Sequence, residues 1–140
     1  MNHFQSLRSY ENFIYNLADY YSSVVYTTLV AIRRSAKQMT IAGEVVFVDA
    51  YRLVINERID YADGQVFIRH YGYEVWHSKQ KVYWYDSQAH PNTPELASTH
   101  PHHKHVPPDI KHNRIPAPGL SFTKPNLPFL ITEIEQALLI

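Results

Sequence analysis

From Val24 to Asp86 the side chains alternate with a period of two, and β-branched and aromatic residues dominate. This run constrains the fold more than any other feature of the chain. A period of two sends successive side chains to opposite faces of an extended backbone, which a helix cannot do. Interruptions within the run predict strands over 24–34, 39–48, 51–60, 65–76 and 81–86. Gly43 predicts a bulge or bend inside the second of these. Asp49-Ala50 forms a tight link, Ala62-Asp63-Gly64 is the clearest hairpin turn, and a polar link over His77–Gln80 precedes the last strand. Links this short join antiparallel neighbours, so the expected sheet is a meander. No strand–helix–strand spacing occurs, which argues against a doubly wound parallel sheet.

The flanks have a different period. Leu7, Tyr10, Ile14, Leu17 and Tyr21 fall at three- and four-residue steps and predict a helix over 7–21, capped by Ser6 or Ser9. Leu130, Ile134 and Leu138 predict a closing helix over 128–139. Residues 87–127 are rich in proline and histidine and have little periodicity, so an ordered loop across the sheet is expected. The fold class is therefore α+β. A twisted antiparallel sheet of about five strands carries a helix from each end of a single domain over residues 1–140. No apolar run approaches the ~18 residues of a membrane span, so no membrane contact is expected. The chain has no cysteine, which excludes disulfides and thiolate metal sites. With no signal-peptide pattern at Met1-Asn2-His3-Phe4, a cytoplasmic location is expected.

Net charge is zero with histidine neutral, yet six of the nine histidines lie between His90 and His112. The densest stretch, "HPHHKHVPPDIKH", spans His100 to His112. Two chemistries suit it. In an extended segment His100 and His102 share a side, as do His103 and His105; a local turn would instead bring His102 to His105. Such groups could hold a divalent transition metal, with His100, His102 and His105 as alternative ligands completed by Asp86, Glu95 or Asp109. The spacing matches no standard zinc motif. The other chemistry is proton transfer on an RNA phosphodiester. It needs a base for the 2′-hydroxyl, an acid for the leaving 5′-oxygen and cations for the charged phosphorane. His102 with His105 or His103 supply the first two, and Lys104 and Arg114 the third. Tyr73 or Tyr85, on the adjacent strands, is expected to hold a base or the phosphate.

The stretch "YGYEVWHSKQKVYWYDSQAHPNTPELASTHPHHKH" (71–105) resembles the signature of the TumE family of toxin–antitoxin proteins. The family has, in the same order, an aromatic-rich strand, a polar turn, a strand ending in Trp/Tyr-Asp, a Pro-His and a terminal Pro-His-His-x-His. This chain departs from it at Asp86-Ser87-Gln88-Ala89-His90-Pro91, with one histidine and a shifted proline. The upstream "GEVVFVDAYRLVINERID" (43–60) looks like the family's Gly-x-hydrophobic-x-Phe-x-Asp stretch. The resemblance implies a toxin with a separate cognate antitoxin protein, acting on RNA as a ribonuclease. By position it implies a site at Asp86, His90, His102, His103 and His105. With the residue chemistry, the expectation is a metal-independent endoribonuclease with no cofactor, and homo-oligomerisation is left open. The alternatives are a non-enzymatic metal- or protein-binding module and an inactive family member.

Overall fold

A computed structural model describes residues 2–139, so the outermost residues of the expected domain, Met1 and Ile140, lie outside the described residues. Helix α1 (Leu7–Tyr15) starts where the Ser6 side chain accepts the Ser9 N–H, and it buries Leu7, Tyr10, Phe13 and Ile14. At Asn16 the expected single helix breaks, because the Asn16 side-chain amide donates back to the Asn12 carbonyl at 2.8 Å. A single turn, α2 (Leu17–Tyr20), follows. Strands β1 (Val24–Thr27), β2 (Val30–Ser35), β3 (Gln38–Phe47), β4 (Tyr51–Ala62), β5 (Gln65–His77) and β6 (Gln80–Asp86) come next. Then follow β7 (His103–His105), β8 (Arg114–Pro116) and helix α3 (Leu127–Ala137).

All eight strands belong to one antiparallel sheet, in which β1 and β2 both pair with β3 and the order then runs β4, β5, β6, β7, β8. The class is the one expected, but the strand count is higher for two reasons. The first strand is split at Thr28-Leu29, opposite Gly43. Gly43 has φ +136, and a Cβ there would lie 2.7 Å from the Thr28 carbonyl oxygen. The Thr28 N–H donates to the Glu44 carbonyl, and the Thr28 hydroxyl accepts the Glu44 N–H, each at 2.9 Å, so the bend is locked to Gly43's neighbour. Gly43→Ala is expected to cost roughly 3 kcal/mol or more, from strained backbone and a backbone clash together. A urea midpoint equal to the parent's would contradict this.

The second reason is that the histidine tract is not an irregular loop. Its centre is β7, which extends the sheet beyond β6, and β8 extends it again. Ahead of β7, residues Pro94–Thr99 form a 3-10 turn.

One face of the sheet carries the core. Alternation along β4 and β5 sends Leu53, Ile55, Tyr73 and Val75 inward, where they pack with Tyr10, Phe13 and Ile14 of α1 and Leu130, Ile131 and Ile134 of α3. The Ala62–Gly64 turn forms as expected, with φ +53 at Asp63 and +79 at Gly64, the left-handed pair a two-residue hairpin requires. No described helix is long and apolar enough to cross a membrane.

Candidate functional site

The β6–β7 register builds the site. It sets His103 opposite Asp86 and His105 opposite Trp84. Alternation then turns both rings to the sheet face away from the helices, beside the Asp86 carboxylate. His103 Nε2 lies 2.9 Å from Asp86 Oδ1, and His105 Nε2 lies 3.4 Å from Asp86 Oδ2. The two Nε2 atoms are 3.2 Å apart. Each ring is held from behind by a backbone carbonyl: Pro101 O is 3.1 Å from His103 Nδ1, and Ile110 O is 2.9 Å from His105 Nδ1. A carbonyl only accepts, so both Nδ1 atoms carry protons and both Nε2 atoms face Asp86.

The turn into β7 is fixed by Thr99. Its hydroxyl donates to the His102 carbonyl at 2.7 Å and accepts the Ala117 N–H at 3.0 Å. Both rings are buried, whereas Asp86 is half-buried. Burial alone would raise the Asp86 carboxyl. The His103 hydrogen bond, the Gln88 N–H and the neighbouring rings outweigh it and hold the group at about 2. Burial lowers His105, against the pull of the Ile110 carbonyl and Asp86.

Asp86 and His105 open onto a cleft of about 480 Å³. Its lining includes Lys81, Lys111 and Arg114, and among the described residues Asp86 is its lone carboxylate. Arg114 is the register partner of His105, and its Nε is buried without a partner among the described residues. His90 also lines the cleft, with its ring centroid 4.7 Å from that of His103. A stripe of cations and aromatics runs from the cleft along the outer face. The Trp84 and His105 ring centroids are 4.1 Å apart with the rings tilted by 37°, Lys81 Nζ lies 4.0 Å above Trp84, and Arg52 sits 5.0 Å above Trp76.

The other expected site residues lie on the opposite face. His102 Nδ1 is hydrogen-bonded to the Tyr71 hydroxyl at 2.6 Å, and its ring packs on Phe122. Lys104 bonds Glu133 of α3 at 3.2 Å and covers Tyr83. The expected meeting of His102 with His105 does not occur, because a strand separates residues of odd spacing where a turn would join them. Tyr73 is fully buried, hydrogen-bonded to Glu57 and Asn126, and Tyr85 is buried against Glu133. Neither hydroxyl is available to a substrate. His100 is exposed and lines a separate pocket of about 320 Å³ with His90, so the alternative ligand set His100, His102 and His105 is not assembled. Instead, the group that gathers is Asp86, His103 and His105.

Sequence reasoning missed Trp76, Lys81 and Lys111. Trp84 and Trp76 have the parity opposite to Tyr83, Tyr85, Tyr73 and Val75, and that signal was in the sequence. Lys81 shares their face only through the register shift between Val75 and Trp76, which no pattern announces.

A family model described as Toxin TumE matches residues 14–138. No curated protein and no solved structure matches the chain.

Proposed function

The chain belongs to the TumE toxin family, and from that premise we propose that it poisons the cell by cleaving RNA as an endoribonuclease. The family implies a toxin held in check by a cognate antitoxin. One observation carries the RNA reading: Asp86 and His105, with His103 buried beside them, border a cleft whose other charges, Lys81, Lys111 and Arg114, suit a phosphodiester. The Trp84–Trp76 stripe extends that cleft with the alternation of cations and aromatic faces on which single-stranded nucleic acid stacks.

In this reading the phosphate lies between Lys111 and Arg114. The Asp86–His103–His105 centre accepts the 2′-hydroxyl proton, and the 2′-oxygen forms a bond to phosphorus. The bond from phosphorus to the 5′-oxygen breaks, and His90, on the cleft wall, returns a proton to the leaving oxygen. Lys104 and His102, expected as reacting groups, act here only as supports from the core side.

The test is to incubate the purified chain, as isolated and with added transition-metal ions, with a labelled single-stranded RNA and its all-2′-deoxy counterpart. Fragments ending in 2′,3′-cyclic phosphate and 5′-hydroxyl are expected from the RNA alone. RNA left intact by protein that still arrests growth would overturn the reading.

A further inference from the structure

We infer that Asp86, His103 and His105 form a preformed site for one divalent transition-metal ion of the zinc, cobalt or nickel class, in place of the metal-free chemistry expected from the sequence. The first ground is distance. The two Nε2 atoms are 3.2 Å apart, His103 Nε2 is 2.9 Å from Asp86 Oδ1 and His105 Nε2 is 3.4 Å from Asp86 Oδ2, and one donor atom from each residue lies within 4.8 Å of the others. Ligand bonds of ~2.0–2.2 Å place neighbouring donors roughly 2.8–3.1 Å apart around an octahedral ion and roughly 3.3–3.6 Å apart around a tetrahedral one. An ion between the two Nε2 atoms and the carboxylate therefore meets a donor from each of the three residues, with Asp86 turning one oxygen to it.

The second ground is orientation. Each ring commits its Nδ1 proton to a fixed backbone carbonyl, Pro101 or Ile110, and so presents Nε2 to Asp86; in the neutral ring, the form that binds a metal, that atom carries a lone pair. This is the outer-shell arrangement that orients metal-bound histidine and fixes its tautomer.

The third ground is what fails without an ion. With both rings neutral, two lone pairs and a carboxylate face one another across about 3 Å. One added proton joins His103 to Asp86 but leaves the His105 lone pair facing the carboxylate. Two added protons set two imidazolium groups 3.2 Å apart, and both rings are buried. A single divalent ion satisfies all three donors at once.

The donor set also selects the ion. Two imidazoles and one carboxylate suit zinc, cobalt and nickel, whereas magnesium and calcium prefer oxygen alone. Three protein ligands leave a position open, and Asp86 and His105 border the cleft, so water or a phosphate oxygen has access to that position. The role of the ion rests on the RNA-cleavage reading, because a bound ion would activate the 2′-hydroxyl that the centre otherwise deprotonates. Its binding does not rest on that reading.

The experiment uses the full chain without a histidine tag, stripped with chelator. Cobalt is titrated in and followed by its visible absorption; zinc is followed by calorimetry and by the melting midpoint. One ion per chain is expected, with a rise in melting midpoint. Losing an outer-shell partner typically weakens metal affinity about 10–100-fold. His103→Gln, His105→Gln and Asp86→Asn remove ligands themselves, so each is expected to exceed that, while His100→Gln and His102→Gln leave affinity unchanged. Because a buried-ring variant could fail to fold, the stabilisation of the unaltered chain by zinc is the independent readout. No saturable binding and no shift in melting midpoint overturns the inference. So does binding lost through His100→Gln or His102→Gln but kept by the other variants. RNA cut in chelator by metal-free chain overturns the ion's role in cleavage and leaves the RNA reading standing. One ion bound with RNA uncut does the reverse.

Discussion

Asp86→Asn is expected to slow RNA cleavage by about 10³–10⁴-fold, the size of loss seen when an aspartate that organises a catalytic histidine becomes its amide. The substitution keeps the shape of the side chain. An asparagine oxygen still accepts the Gln88 N–H, which Asp86 Oδ1 accepts at 3.0 Å. The negative charge between His103 and His105 is what disappears, whether the centre holds a proton or an ion. His102→Gln is the contrasting variant. It stands next to His103 in sequence, yet its ring lies on the core face against Tyr71 and Phe122. Its cleavage rate is expected to stay within about tenfold of the parent, since it touches neither the cleft nor the reacting groups. Single-turnover rates on one short RNA, with melting curves for both variants, decide the matter. A His102→Gln loss larger than the Asp86→Asn loss would move the site to the other face of the sheet.

The protein is also expected to lose about 3 kcal/mol of stability to one buried carboxyl as pH rises from about 4.5 to about 7. Glu57 is 3% exposed and lies between the hydroxyls of Tyr10 and Tyr73, both of which donate to it. Burial raises it from 4.5 to about 7, although the two tyrosine hydrogen bonds favour the carboxylate. Burial, with the Glu57 charge beside them, pushes Tyr10 and Tyr73 upward, so both remain donors throughout. A raised acid binds its proton more tightly when folded. Its contribution is complete below about 4.5, declines through the window and is gone above about 7, with each tenfold gain in proton affinity equivalent to about 1.4 kcal/mol.

Burial lowers His102 and His105, which act in the opposite sense near the same range, so the parent curve alone mixes the effects. Asp86, held at about 2, contributes only below the usual carboxylate range, where its stabilisation is lost as pH falls. The difference between urea-unfolding curves of the parent and Glu57→Gln isolates the carboxyl. That difference should change by about 3 kcal/mol between about pH 4 and about pH 8. A pH-independent difference would show that Glu57 titrates normally.

Much of the fold was legible because the forces that set it are local. The inward positions Leu53, Ile55, Tyr73 and Val75 follow from alternation, the Asp63-Gly64 turn from backbone preference, and α1 from Leu7, Tyr10 and Ile14 at helical steps. The kink at Thr28-Leu29 was not legible in the run that contains it, because its cause is Gly43 on the neighbouring strand. β7 was not legible either. Three residues, His103–His105, are too few to display a period, and they are a strand only because β6 supplies their hydrogen-bond partners. Glu57 looked like any charge on a strand. Its inward parity was visible, but the two tyrosines that make its burial tolerable come from α1 and β5.

The sequence by itself determined the α+β class, the inward and outward faces of the long strands, and a family signature centred on the histidines. Only the tertiary structure decided which histidines act together. That choice depends on register, a property of two strands and not of one. Setting Asp86 against His103 turns His103 and His105 to the cleft face and sends His102 and Lys104, both half-buried, to the face that the helices cover. A slip of one residue would exchange the two pairs, because successive side chains of a strand point to opposite faces.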